Sequence, residues 1–147
     1  MIDVLSNHIS KNKIINILEI GAGNGLSTFN FINKLDEYNY NYTYTVNEYY
    51  SSYKNDLLKI IKEENILIMP FEDIHKYTSK SFDIILLTAV SAINETNIIY
   101  LKKITNYNTK IVTICPYIFT YILNKYFTVT EVASCTNILG LFVLSNL

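Results

Sequence analysis

The 147-residue chain is 50% hydrophobic with a net charge of −1, which bounds it to one globular domain over residues 1–147 with a core of its own. All 12 basic residues are lysine, so the bidentate phosphate fork of arginine is missing, and neither nucleic acid nor an anionic membrane is an expected partner. Residues 1–13 are polar, unlike a signal peptide, and the longest apolar run, 111–123, is broken by Pro116 and too short to span a bilayer. Cys115 and Cys135 make neither a disulfide framework nor, with the two histidines, a metal-ligand spacing, so no metal is expected and a cytoplasmic setting is.

Residues 2–10 carry Ile2, Val4, Leu5 and Ile9 in a weak helical pattern, a lead-in helix. An apolar, β-branched run over 14–20 predicts a strand buried on both faces. It leads into Gly21, Ala22, Gly23, Asn24 and Gly25, after which Leu26, Phe29, Ile32 and Leu35 fall at the spacing of one helical face. The segment 42–46 alternates aromatic and β-branched residues as a second strand. Ser51 and Ser52 are N-cap candidates for a helix to about residue 64. A third strand over 65–69 stops at Pro70, with Phe71, Glu72, Asp73 and Ile74 just beyond its end.

The run 82–89 is the most uniformly apolar strand, hence central in the sheet. Asn94 is placed to cap a helix containing Ile98, Leu101 and Ile104. A fifth strand over 110–115 and a short helix over 118–125 follow. Two strands, 127–133 and 139–145, have no helix between them and therefore pair antiparallel. Five strand–helix alternations before this hairpin predict an α/β domain, a mostly parallel sheet of about seven strands with helices on both faces. In such a sheet the loops 21–25, 47–48, 71–73 and 88–93 converge beyond the carboxyl ends of the strands, where ligands bind.

Three of the chain's 4 glycines sit within the five residues 21–25. Alternate glycines allow positive φ and close approach of backbone to a ligand, at a helix N-terminus that favours polar or anionic atoms. A phosphate loop needs Lys-Ser/Thr after the last glycine, where Leu26 and Ser27 stand. A dinucleotide loop needs a third glycine where Leu26 stands. The pattern present is Glu-x-Gly-x-Gly-x-Gly on Glu19, Gly21, Gly23 and Gly25.

That pattern resembles the first motif of class I S-adenosylmethionine (SAM)-dependent methyltransferases, and implies a Rossmann-like methyltransferase fold. The resemblance implies SAM as cofactor, with S-adenosylhomocysteine (SAH) as product. Its implied binding set is Glu19, Gly21, Ala22, Gly23 and Gly25 in the loop, Glu48 for the ribose hydroxyls and Asp73 for the adenine amino group. For Glu19 two roles stand open, an acceptor for the loop backbone or an acid that organises its own loop. Asp73 reads equally as a cap of the helix after it, and Asp83, opening the fourth strand, reads as structural. His75 lies near the cofactor-side loops with no partner in sequence.

Within the superfamily the chain is most similar to the C-methyltransferase domains of polyketide synthases, through residues 18–25, 42–45, Ser51-Ser52, 71–74 and 81–84. This implies a small-molecule or carrier-bound acyl substrate and a place in a larger assembly. The chain departs from that family at three positions. Val46 stands where the family has aspartate, Val90-Ser91-Ala92 where it has a catalytic histidine, and Cys115 where it has a glutamate. Deprotonating a β-ketoacyl carbon needs a positioned base, and the sequence offers none. Two readings follow, a methyltransferase for a different or already nucleophilic substrate, and a non-catalytic methyltransferase-like module.

Overall fold

A computed structural model describes residues 12–78, 81–88, 93–136 and 139–147. The expected lead-in helix at 2–10 and the positions Val90, Ser91 and Ala92 lie outside the described residues. The strands are β1 (Ile15–Ile20), β2 (Tyr42–Glu48), β3 (Ile66–Ile68), β4 (Ile84–Leu87), β5 (Lys110–Pro116), β6 (Phe127–Ser134) and β7 (Leu139–Asn146). The α-helices are α1 (Leu26–Glu37), α2 (Lys54–Leu57), α3 (Ile74–Tyr77), α4 (Glu95–Ile104) and α5 (Thr120–Leu123).

The strands form one sheet in the order β3-β2-β1-β4-β5-β7-β6. The first five are parallel, and β7 runs antiparallel to both β5 and β6. The order reverses between β1 and β4, so the switch point lies at the carboxyl end of β1, where the glycine loop begins. Both faces are covered, as continuous apolar strands require. Ile15, Ile17, Ile84 and Leu86 pack with Phe31, Leu35 and Leu57 on one face; Leu18, Ile20, Ile85 and Leu87 pack with Ile74, Ile98 and Leu101 on the other. No described helix is long and apolar enough to cross a membrane.

Two helices differ from the sequence expectation. In α1 the buried residues are Thr28, Phe31 and Leu35, while Leu26 is 65% and Phe29 50% exposed. The docking face is rotated because Thr28 carries its hydroxyl to the buried carboxylate of Glu19, at 2.6 Å; satisfying that acid outweighs covering Phe29. The expected helix 51–64 is a 3₁₀ turn, Ser51–Tyr53, and then the single turn of α2, without a side-chain cap. Leu57 and Ile61 are buried there, but Leu58 is 41% exposed.

Asn94 does cap α4, its Oδ1 accepting from the Asn97 N–H at 2.9 Å. Asn94→Ala is expected to lower stability by about 1 kcal/mol, read from the midpoint of urea denaturation at unchanged slope.

Candidate functional site

The glycine loop is held in place by backbone bonds that depend on positive φ. Gly21, Gly23 and Gly25 have φ of 81°, 57° and 85°, the left-handed region that other L-residues enter at a cost of about 1–2 kcal/mol. The N–H groups of Gly21 and Ala22 donate to the Asn47 carbonyl at 2.9 and 3.1 Å, and the Gly25 N–H donates to the Ala22 carbonyl at 3.0 Å. Asn47 also holds the far side, its Nδ2 donating to the carbonyls of Leu67 and Met69. One buried asparagine thus ties the ends of β1, β2 and β3 together.

The three glycines differ in what surrounds them. A Cβ on Gly25 would lie 2.6 Å from Ile60 Cδ1 and 3.2 Å from Leu57 Cδ2, whereas one on Gly23 would meet nothing within 4 Å. Gly25 lets α1 pack on the segment after α2. Gly23 presents bare backbone to open space.

Glu48 is the last residue of β2, since that strand runs two residues further than its aromatic pattern marks. The residue is 5% exposed. One oxygen accepts from the Gly23 N–H at 2.7 Å and the other from the Tyr50 N–H at 2.9 Å. An ionised carboxyl offers about four acceptor sites, so two backbone bonds orient the group and leave capacity for a ligand.

Glu48 forms the floor of a cleft of about 350 Å³ at the carboxyl edge of the sheet. Ile20, Gly21 and Asn47 line it on the sheet side, Tyr49, Tyr50 and Tyr53 on one rim, and Pro70, Phe71 and Glu72 on another. Tyr49 and Tyr50 stand edge to face with ring centres 5.0 Å apart. Two carboxylates and no lysine line this cleft among the described residues, a setting that favours a cationic ligand and opposes a phosphate. A depression of about 370 Å³ at the other end of the sheet is different, since there Asp83 is already bound to Lys13 Nζ and the Asn16 N–H.

Asp73 is not among the residues lining the cleft, and its neighbour Glu72 is. Asp73 precedes α3 without capping it and pairs instead with Lys76 at 2.5 Å. Glu19 is fully buried and bonds to none of the loop's backbone. Its carboxylate accepts from the hydroxyls of Ser27 (2.7 Å), Thr28 (2.6 Å) and Tyr44 (2.9 Å), with Thr88 Oγ1 at 3.4 Å. Burial, and next the negative charge of Glu19, hold the Tyr44 phenol well above its usual range, so it stays a donor. His75 stacks on Tyr100 at 6.0 Å, and its Nδ1 is buried without a partner.

Tyr44 was not marked by the sequence, and Asn47, Glu72 and Thr88 were marked only as members of the converging loops 47–48, 71–73 and 88–93. Tyr44 reaches Glu19 through strand register, sitting opposite Ile17 while Val46 sits opposite Glu19. No local motif carries that information.

Cys115 is fully buried, and burial pushes its thiol up to about 11, which leaves it a poor nucleophile. Cys135 is exposed. Iodoacetamide on the native chain at pH 8 is therefore expected to modify Cys135 alone, with Cys115 reacting only after unfolding, as read by peptide mass spectrometry.

No family model matches the sequence, and no curated protein matches it. Solved structures do. The chain is similar to the citrinin polyketide synthase CMeT domain, with TM-score 0.70 and 16% identity over 98% of this chain and 50% of that one. It is similar to the CurJ carbon methyltransferase, with TM-score 0.73 and 13% identity over 99% and 52%. Human methyltransferase-like protein 13, solved in complex with SAH, gives TM-score 0.67 and 10% identity over 92% and 73%. The chain spans about half the length of the two carbon-methyltransferase structures. At such identities the likeness is one of fold, and it agrees with the strand order and the position of the glycine loop. The chain has the Rossmann-like fold of the class I SAM-dependent methyltransferases.

Proposed function

We propose that the cleft binds SAM and that the chain is a class I SAM-dependent methyltransferase or methyltransferase-like domain, with a small-molecule or acyl substrate of the polyketide type. The observation that carries this reading is the pairing of Glu48 with Gly23. A buried carboxylate, oriented by two backbone N–H groups, faces a cleft beside a glycine whose missing Cβ leaves open space. Those residues fit a nucleoside with a ribose diol and a cationic tail. Gly21 lines the cleft and Gly23, bonded to Glu48, leaves open space where a Cβ would stand; Glu48 accepts from the diol, Glu72 in the lining is an acid for an amino group, and the tyrosines offer apolar faces.

SAM supplies an activated methyl group, so the protein's task is to bring an acceptor into line with it; proximity and orientation provide most of the rate. An acceptor that is already nucleophilic needs no base.

A second reading is favoured by Cys115. The position where the polyketide family has glutamate holds a fully buried thiol pushed up to about 11, which cannot serve as a base near neutral pH. That favours a module that keeps the fold, and even the cofactor cleft, without transferring a methyl group.

Calorimetric titration of the purified chain with SAM and SAH, repeated on Gly23→Asp, tests the proposal. Micromolar binding lost in Gly23→Asp, with the thermal melt of the variant close to wild type, is the expected result. No heat from folded wild-type protein with either ligand removes the cofactor reading, and binding without turnover on acyl or phenolic acceptors favours the second.

A further inference from the structure

The chain has 18 asparagines, and Asn24 alone among them is followed by glycine. Asn24 is exposed and belongs to no helix or strand. Its Oδ1 accepts from the Leu26 N–H at 3.2 Å, a bond that spans Gly25. Such a turn brings the side-chain carbonyl carbon back toward the intervening backbone nitrogen. The bonded N–H also draws electrons from that carbonyl, and Gly25 has no Cβ to shield its nitrogen.

Asn106 supplies the internal comparison. It too is exposed, and its Oδ1 accepts from the Asn108 N–H at 2.8 Å, again across one residue. The residue between is Tyr107, whose Cβ crowds the nitrogen.

We infer that Asn24 is a site of spontaneous modification, at which the Gly25 nitrogen displaces the side-chain amide. Gly25 is buried and its N–H is held by the Ala22 carbonyl at 3.0 Å, so the reaction proceeds from a local opening of that turn. Hydroxide removes the proton, and the nitrogen forms a bond to Cγ. The Cγ–Nδ2 bond breaks, and Nδ2 takes up a proton and leaves as ammonia. Water then opens the succinimide at one of its two carbonyls, giving aspartate or isoaspartate; nothing is oxidised or reduced. Aspartate keeps an acceptor for the Leu26 N–H and adds a negative charge at the start of α1, where it is favoured. Isoaspartate lengthens the backbone between Asn24 and Gly25 by one carbon, so the Gly25 N–H no longer meets the Ala22 carbonyl. One product preserves the glycine loop and the other opens it, whatever ligand the cleft takes.

Incubating the purified native chain at pH 8 and following its peptides by mass spectrometry tests this. The expected result is exchange of amide for acid at Asn24, while Asn106 keeps its amide over the same period. The exchange should slow at pH 6, where hydroxide is scarcer. In Asn24→Gln the longer side chain would have to close a six-membered ring, and the signal from this loop should be lost. The wild-type peptides decide the matter even if that variant folds poorly. An Asn24 amide that survives in the native chain overturns the inference, and its loss in urea alone would show that the fold protects it. Equal rates at Asn24 and Asn106 also overturn it, because the glycine would then make no difference.

Discussion

Replacing Glu19 with alanine is expected to destabilise the chain by about 3–5 kcal/mol, the range found when one member of a buried charged network is removed. The mechanism is not the loss of a favourable ion pair, because the carboxylate's partners are hydroxyls. Truncation leaves the hydroxyls of the buried Thr28 and Tyr44 without their acceptor. It also opens a cavity between α1 and β2 that the sheet cannot close. Glu19→Gln should cost much less, since one amide oxygen still accepts and the hydroxyls can turn to receive from the amide. Urea denaturation monitored by far-UV circular dichroism separates the two variants. Equal midpoints for the two would show that the hydroxyl network contributes little.

The second large effect separates two glycines that look alike in sequence. Gly25→Ala is expected to cost about 3 kcal/mol, combining entry of a Cβ-bearing residue into the left-handed region with overpacking against a formed core. The added methyl would lie 2.6 Å from Ile60 Cδ1 and 3.2 Å from Leu57 Cδ2, so those two side chains must shift to make room for it. Gly23→Ala carries the backbone cost alone, about 1 kcal/mol, because its Cβ would project into open space. The ligand consequences run the other way. Gly23→Ala should impair SAM binding in a well-folded protein, whereas Gly25→Ala should impair it only as far as it loosens the loop. Thermal denaturation and titration on both variants check this, and similar melting points for the two would contradict the packing argument.

The contrast shows what could be read from the chain. Apolar runs of β-branched residues, spaced by polar turns, mark strands through their period and composition, and all seven described strands lie where those runs lie. The antiparallel hairpin followed from the lack of a helix between its strands. The glycine loop was legible because the conformations it needs are ones that few residues other than glycine adopt. The helices were read less well. Leu26 and Phe29 have the right spacing for a buried face but stand exposed, because spacing fixes which residues share a face and not which face meets the sheet.

For the site, the sequence by itself determined the Glu-x-Gly-x-Gly-x-Gly strand–loop–helix unit and the presence of acids near the ends of β2 and β3. Those are properties of neighbouring residues, set by local backbone preference and by the position of each strand end. Only the tertiary structure decided what each acid does. Glu48 bonds to Gly23, 25 residues away; Glu19 is enclosed by hydroxyls from α1, β2 and the end of β4; Glu72 rather than Asp73 lines the cleft, because Asp73 is tied to Lys76. Parallel strands bring together residues far apart in the chain, and which ones meet depends on register and helix rotation, energies of packing that no single stretch of sequence contains.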